Sequence, residues 1–174
     1  MGLLGAEMIA IEDGDASGWL ESATTIGEVN FQNIQTFVDN VLADLGSREL
    51  SLLHVQAHGN PTGIALGGDW VDVNTFDGYK AVLGRLTAKF AKGAWVDLRA
   101  CEVGQNLPLL HMFRRLWRVG IVAGRGLQNN LYDANFGLYQ VVYADGKELK
   151  SFSTPPFVEY NAGRRAVRSV LSHI

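Results

Sequence analysis

Cysteine is almost missing from this chain. Cys101 is the only one in 174 residues, so no internal disulfide can form, and a reducing, cytoplasmic setting is expected. Long apolar runs are missing too: no stretch approaches the about 18 residues that span a bilayer, and no membrane partner is expected. The amino terminus lacks the basic region of a signal peptide, with Glu7 interrupting its apolar stretch, and Ala6 lacks the hydroxyl of a myristoylation site. A basic excess is absent as well. With 15 Lys and Arg against 18 Asp and Glu, the net charge is -3, which argues against nucleic acid as a partner. No Cys, His and acidic residues stand at zinc-ligand spacing, so no metal site is expected.

What is present suffices for one core. Hydrophobic residues make up 47% of the chain, and its length is too short for two ordinary domains. The reading is one domain over residues 1–152 and a C-terminal extension, 153–174, that packs on the domain or docks a partner. Residues 7–11 read as a first strand and 12–18 as a loop. Phe31, Ile34, Phe37, Val38, Val41, Leu42 and Leu45 fall at helical spacing, with Asn30 as N-cap and Gly46 just past the end. A second helix runs through Phe76, Tyr79, Leu83, Leu86 and Phe90, closed at Gly93; a third has Pro108 in its first turn and turns Leu110, Phe113, Leu116 and Trp117 inward. Residues 50–57, 94–100 and 120–124 read as strands, 63–66 with 70–73 as a small hairpin, and 137–143 with 147–152 as a hairpin across Asp145-Gly146. Residues 128–136 read as a loop and 160–174 as one short helix. Because parallel strands need long crossovers, this alternation predicts an α/β fold: a mostly parallel sheet covered on both faces, with an antiparallel hairpin at one edge.

The chemistry gathers at two strand ends. Ala57-His58-Gly59-Asn60 closes one apolar run and Arg99-Ala100-Cys101-Glu102-Val103-Gly104 closes the next, and carboxyl ends of parallel strands are where ligands bind. These residues resemble the caspase-like cysteine peptidases, which carry a His-Gly after one strand and an Ala-Cys motif after the next. The caspase signature is Gln-Ala-Cys-[Arg/Gln/Gly]-Gly with the histidine about 50 residues upstream; here Arg99 replaces the Gln, Glu102 follows the cysteine and Val103 delays the glycine. Ala-Cys-Glu-x-Gly is similar to the CHAT branch of that superfamily, and the Glu-Ala-Cys-Glu of the legumain branch is a near neighbour. The resemblance covers roughly residues 48–145 and implies a three-layer αβα sandwich and a cysteine endopeptidase that needs no cofactor or metal.

Peptide cleavage by cysteine needs a thiolate, which a nearby imidazole supplies by taking the proton. In that role His58 serves Cys101 as base, or as acid toward the leaving amine. The resemblance also implies that the backbone N–H groups of Gly59 and Cys101 face the oxyanion, and a glycine there lets the backbone approach a substrate. His54 reads as a packed strand residue.

Strand periodicity points Arg99 to the same face as Cys101. Two roles are open to it. With Arg125 from the next strand's loop it lines a pocket for an acidic residue before the cleaved bond, or it pairs with Asp97 or Glu102 and orders the site. The function expected is cleavage of a peptide or protein substrate, after an acidic residue if the arginines form that pocket, with an activating protein partner. The alternative is a non-catalytic caspase-like interaction module.

Overall fold

The computed structural model describes residues 6–12, 27–129 and 134–151. Its first strand, β1 (Ala6–Glu12), is buried along most of its length. It pairs in parallel with β2 (Gly27–Phe31), where Val29 and Phe31 point inward while Glu28 and Asn30 point out. Helical spacing had concealed this strand. Phe31 keeps phase with the following helix because its ring meets Phe37 edge-on at 5.2 Å, yet its backbone is extended. Helix α1 (Ile34–Leu45) is therefore capped by Asn33, not Asn30, and ends at Gly46 as expected.

The cap is reciprocal. Thr36 N–H donates to Asn33 Oδ1 at 2.9 Å and Asn33 N–H donates to Thr36 Oγ1 at 3.1 Å. Asn33→Ala leaves the Thr36 N–H of the first turn without its acceptor, so a urea titration is expected to show a loss of about 1 kcal/mol; an unchanged midpoint would remove the cap from the account of α1.

The central strand β3 (Leu50–Gln56) is buried throughout, as a parallel strand packed on both faces should be. Beyond it, β4 (Gly59–Asn60), β5 (Gly63–Leu66) and β6 (Asp69–Asp72) make a small antiparallel sheet. The β5–β6 turn needs glycine: Gly67 has φ +65°, and the Gln32 carbonyl lies where a Cβ would be. That turn also serves α1, for Gly68 N–H donates to Gln32 O at 2.8 Å and Asp69 Oδ2 accepts from Ile34 N–H at 3.0 Å.

Helix α2 (Phe76–Leu83) is shorter than its apolar spacing suggests. The chain tightens into a 3-10 helix over Gly84–Lys89, and β7 (Phe90–Arg99) begins at the last apolar residue of the expected helix, before its expected close at Gly93. Phe90 packs against Trp117 with ring centroids 5.8 Å apart, a contact that an inward-facing residue makes from helix or strand alike. A second 3-10 turn, Val103–Gln105, leads into α3 (Leu107–Trp117), with Pro108 in its first turn and Trp117 Nε1–H donating to Leu83 O at 2.9 Å. Then follow β8 (Gly120–Gly124), β9 (Leu127–Asn129), β10 (Ala134–Phe136), β11 (Tyr139–Val142) and β12 (Glu148–Ser151). β9 and β10 pair antiparallel, within the stretch read as a loop. The helix expected over 160–174 lies outside the described residues, as does most of the loop expected over 12–18.

The main sheet runs β12-β11-β8-β7-β3-β1-β2. Strands β2, β1, β3, β7 and β8 are parallel, and the β11–β12 hairpin adds the antiparallel edge. The fold is α/β with a mostly parallel central sheet. Partners in register share a face, so Met8, Leu53, Val96 and Ile121 look one way and pack with α1, α2 and α3 into one core. Ile9, His54, Asp97 and Val122 look the other way. None of the described helices is long and apolar enough to cross a membrane.

Candidate active site

β3 and β7 are adjacent and parallel, and their last paired residues are Gln56 and Arg99. The ladder continues one step further, with Ala57 N–H donating to Arg99 O at 3.2 Å. His58 and Cys101 thus stand level, each two residues past that last pair, at the carboxyl edge of the sheet. Gly59 closes the gap between the two ends: a Cβ placed on it would lie 3.1 Å from Cys101 O, 3.0 Å from Ala100 Cβ and 2.5 Å from Val103 Cγ2. No side chain other than hydrogen fits there without movement. The end of β1 joins the same edge, since Glu12 Oε2 accepts from His58 N–H at 3.0 Å.

His58 is exposed and Cys101 is half-buried. Among the described residues the sulfur's hydrogen bonds both go to one backbone unit: Gln128 N–H donates to Sγ at 3.3 Å, and Gln128 O lies 3.8 Å from Sγ. The imidazole of His58 does not share in them. Directly after Cys101 the chain turns sharply. Glu102 adopts φ 59°, a left-handed conformation uncommon for a side chain-bearing residue. Its N–H donates to Gly126 O at 2.8 Å, which lays the segment entering β9 along the cysteine turn. Gly104 presses on β8, where a Cβ would come within 2.5 Å of Ala123 O.

Below this edge the β3–β7 face carries buried charge. Arg99, only 2% exposed, donates from Nε to Asp97 Oδ2 at 2.9 Å. His54 is fully buried, with Nδ1 2.9 Å from the same Asp97 oxygen and Nε2 2.9 Å from Glu7 Oε1. Arg99 Nη2, always a donor, lies 2.6 Å from His54 Nδ1. That nitrogen therefore faces an acceptor and a donor together, and a proton on it serves Asp97 at the expense of the bond from Arg99. Burial pushes the Asp97 carboxyl up, but the Arg99 charge and the His54 hydrogen bond outweigh it and hold the group well below the usual carboxylate range.

Of the two roles open to Arg99, the structure places it in the internal pair with Asp97. Arg125 is engaged separately: its Nη1 donates to Gly104 O at 3.1 Å and to Gln140 Oε1 at 3.3 Å, bracing the turn after Cys101 against β11. The two guanidinium groups do not come together into an open pocket for a carboxylate. The face that Arg99 shares with Asp97 is closed over, and burying a guanidinium requires an internal acid.

Residues 23–125 match the family model described as "Domain of unknown function (DUF4347)". That is more than half of the chain. The chain belongs to the DUF4347 family. The matched stretch runs to the loop after β8 and includes both strand ends, His58-Gly59 and Arg99 to Gly104. No curated protein matches the chain.

Three participants in this DUF4347 site are absent from the sequence reading. Glu7 and Glu12 sit at the two ends of a short apolar strand, and only the β1–β3 register brings them to His54 and His58. Gln128 acts through its backbone, which no residue type announces. Among the described residues there is no group of three or more His, Cys, Asp or Glu side chains able to hold a metal ion. What the DUF4347 edge offers chemically is a half-buried thiol, an exposed imidazole and a glycine backbone pressed against the peptide of the cysteine.

Proposed function

We propose that this DUF4347 chain is a cysteine endopeptidase of the caspase-like superfamily, with Cys101 as nucleophile and His58 as the base that takes its proton and returns it to the leaving amine. One observation carries the reading: the β3–β7 register sets His58 and Cys101 level at the carboxyl ends of neighbouring parallel strands, with Gly59 packed on the Cys101 carbonyl. Backbone N–H groups of Gly59 and Cys101 serve the oxyanion in this reading, a contribution typically worth about 3 kcal/mol per donor. The fold is then the three-layer αβα sandwich of that superfamily, and the lone cysteine suits a cytoplasmic setting. A preference for acidic residues loses its support, because Arg99 and Arg125 are both spent internally. Gln128 must leave the sulfur before a substrate carbonyl can reach it, and an activating protein partner supplies that movement.

A second reading, a non-catalytic interaction module, draws on the same sulfur: its hydrogen bonds run to Gln128 and not to His58. Peptidyl acyloxymethyl ketone probes of varied sequence separate the two when applied to the full chain under reducing conditions. Catalysis predicts covalent labelling that Cys101→Ala abolishes and that His58→Ala slows by about 100-fold or more. Equal rates with and without the imidazole would take the base role from His58, and a chain inert to every probe would favour the module.

A further inference from the structure

A second concavity lies away from the thiol, where the first turn of α2 faces the last turns of α3. It is an open cleft of about 320 Å³ whose apolar lining comes from Phe76, Met112 and Leu116, while Lys80, Arg115 and Arg118 stand around it and Asp77 is the one acid among them. Phe76 is buried and the three cations are exposed. Among the described residues none of these cations is paired with a carboxylate, in contrast to Arg48 and Arg85, which pair with Asp44 and Asp39. Three like charges around an apolar floor, with Asp77 as the one acid in the lining, produce a net positive potential that attracts an anion.

The shape narrows the class of anion. A small ligand is normally held in a site that covers most of its surface, and a cleft this open does not enclose one. An extended chain spreads its contacts along the rim. It can place one aromatic or branched side chain on Phe76, Met112 and Leu116 and set carboxylates against Lys80 on one wall and Arg115 and Arg118 on the other. Arg118 is kept at the rim by the backbone, which closes α3 at φ 58° with its N–H donating to Arg114 O at 2.7 Å.

We propose that this cleft docks an acidic peptide segment of a partner protein, anchored by a single large apolar side chain. α3 has 11 residues and is therefore roughly 16 Å long, with the cysteine turn before its first residue and the cleft at its last turns. Docking leaves the thiol uncovered and holds whether or not Cys101 is catalytic.

Fluorescence anisotropy of the full chain with a fluorescein-labelled Asp-Glu-Phe-Glu-Asp peptide tests it. Saturable binding is expected, weakening as salt rises from about 0.05 to 0.5 M. It should fall by about tenfold or more in Lys80→Glu/Arg115→Glu, and by a similar factor when serine replaces the phenylalanine of the peptide. Lys147→Glu alters a cation that is 81% exposed and lies outside the cleft, and should bind as the parent does. Should the double variant melt early, Arg118→Ala gives the same comparison with one rim charge removed. Absence of saturable binding, equal affinity in the rim variants, or equal affinity for the serine peptide would each overturn the proposal, the last by reducing it to unspecific charge attraction.

Discussion

Asp97→Asn is expected to lower the free energy of unfolding by about 3–5 kcal/mol at pH 7. The carboxylate receives Arg99 Nε at 2.9 Å and lies 2.9 Å from His54 Nδ1, and all three side chains are buried. Replacing it by an amide keeps the shape but takes from the guanidinium a charge partner it cannot exchange for water. The pH dependence has a definite sign. The folded carboxyl titrates well below its ordinary value, so the stabilisation is complete above the unfolded pKa of about 3.9 and is lost as pH falls below it. Urea titrations of parent and variant should therefore differ most near neutrality and converge under acid. Coincident curves at pH 7 would show that Asp97 contributes nothing to the balance of charge around Arg99.

Gly59→Ala should slow reaction of the thiol by about 100-fold, the usual cost of displacing reacting groups by about 1 Å. The new Cβ would meet Val103 Cγ2 at 2.5 Å, Ala100 Cβ at 3.0 Å and Cys101 O at 3.1 Å, so the ends of β3 and β7 must part. In the dyad reading that separation moves His58 from Cys101 and shifts the Gly59 N–H together. Gly78→Ala is the control: it lies inside α2 with nothing within 4 Å of the added methyl, and replacing a helical glycine should leave the rate unchanged and add up to about 1 kcal/mol of stability. A Gly59→Ala chain that melts like the parent and labels at the parent rate would separate the glycine from the chemistry.

Much of the frame was legible without coordinates. The largely apolar runs at 50–57 and 120–124 became β3, which ends at Gln56, and β8, and Asp145-Gly146 marked the turn between β11 and β12, because burial and turn chemistry are local demands on residue type. Where one demand had two solutions, spacing misled. Phe31 and Phe90 satisfy helical periodicity, yet both lie in strands, since an inward-facing ring serves the same core from either backbone.

By itself the amino-acid sequence determined the α/β alternation and the placement of His58 and Cys101 at strand ends, both of which follow from periods of two and near four along one chain. Only the tertiary structure decided what those side chains meet. The β1–β3–β7 register brought Glu7 and Asp97 to His54 and turned Arg99 inward, and the path of β9 put the Gln128 backbone on the Cys101 sulfur. Such contacts join residues far apart in the chain through strand register and backbone groups, and neither leaves a mark on local residue pattern.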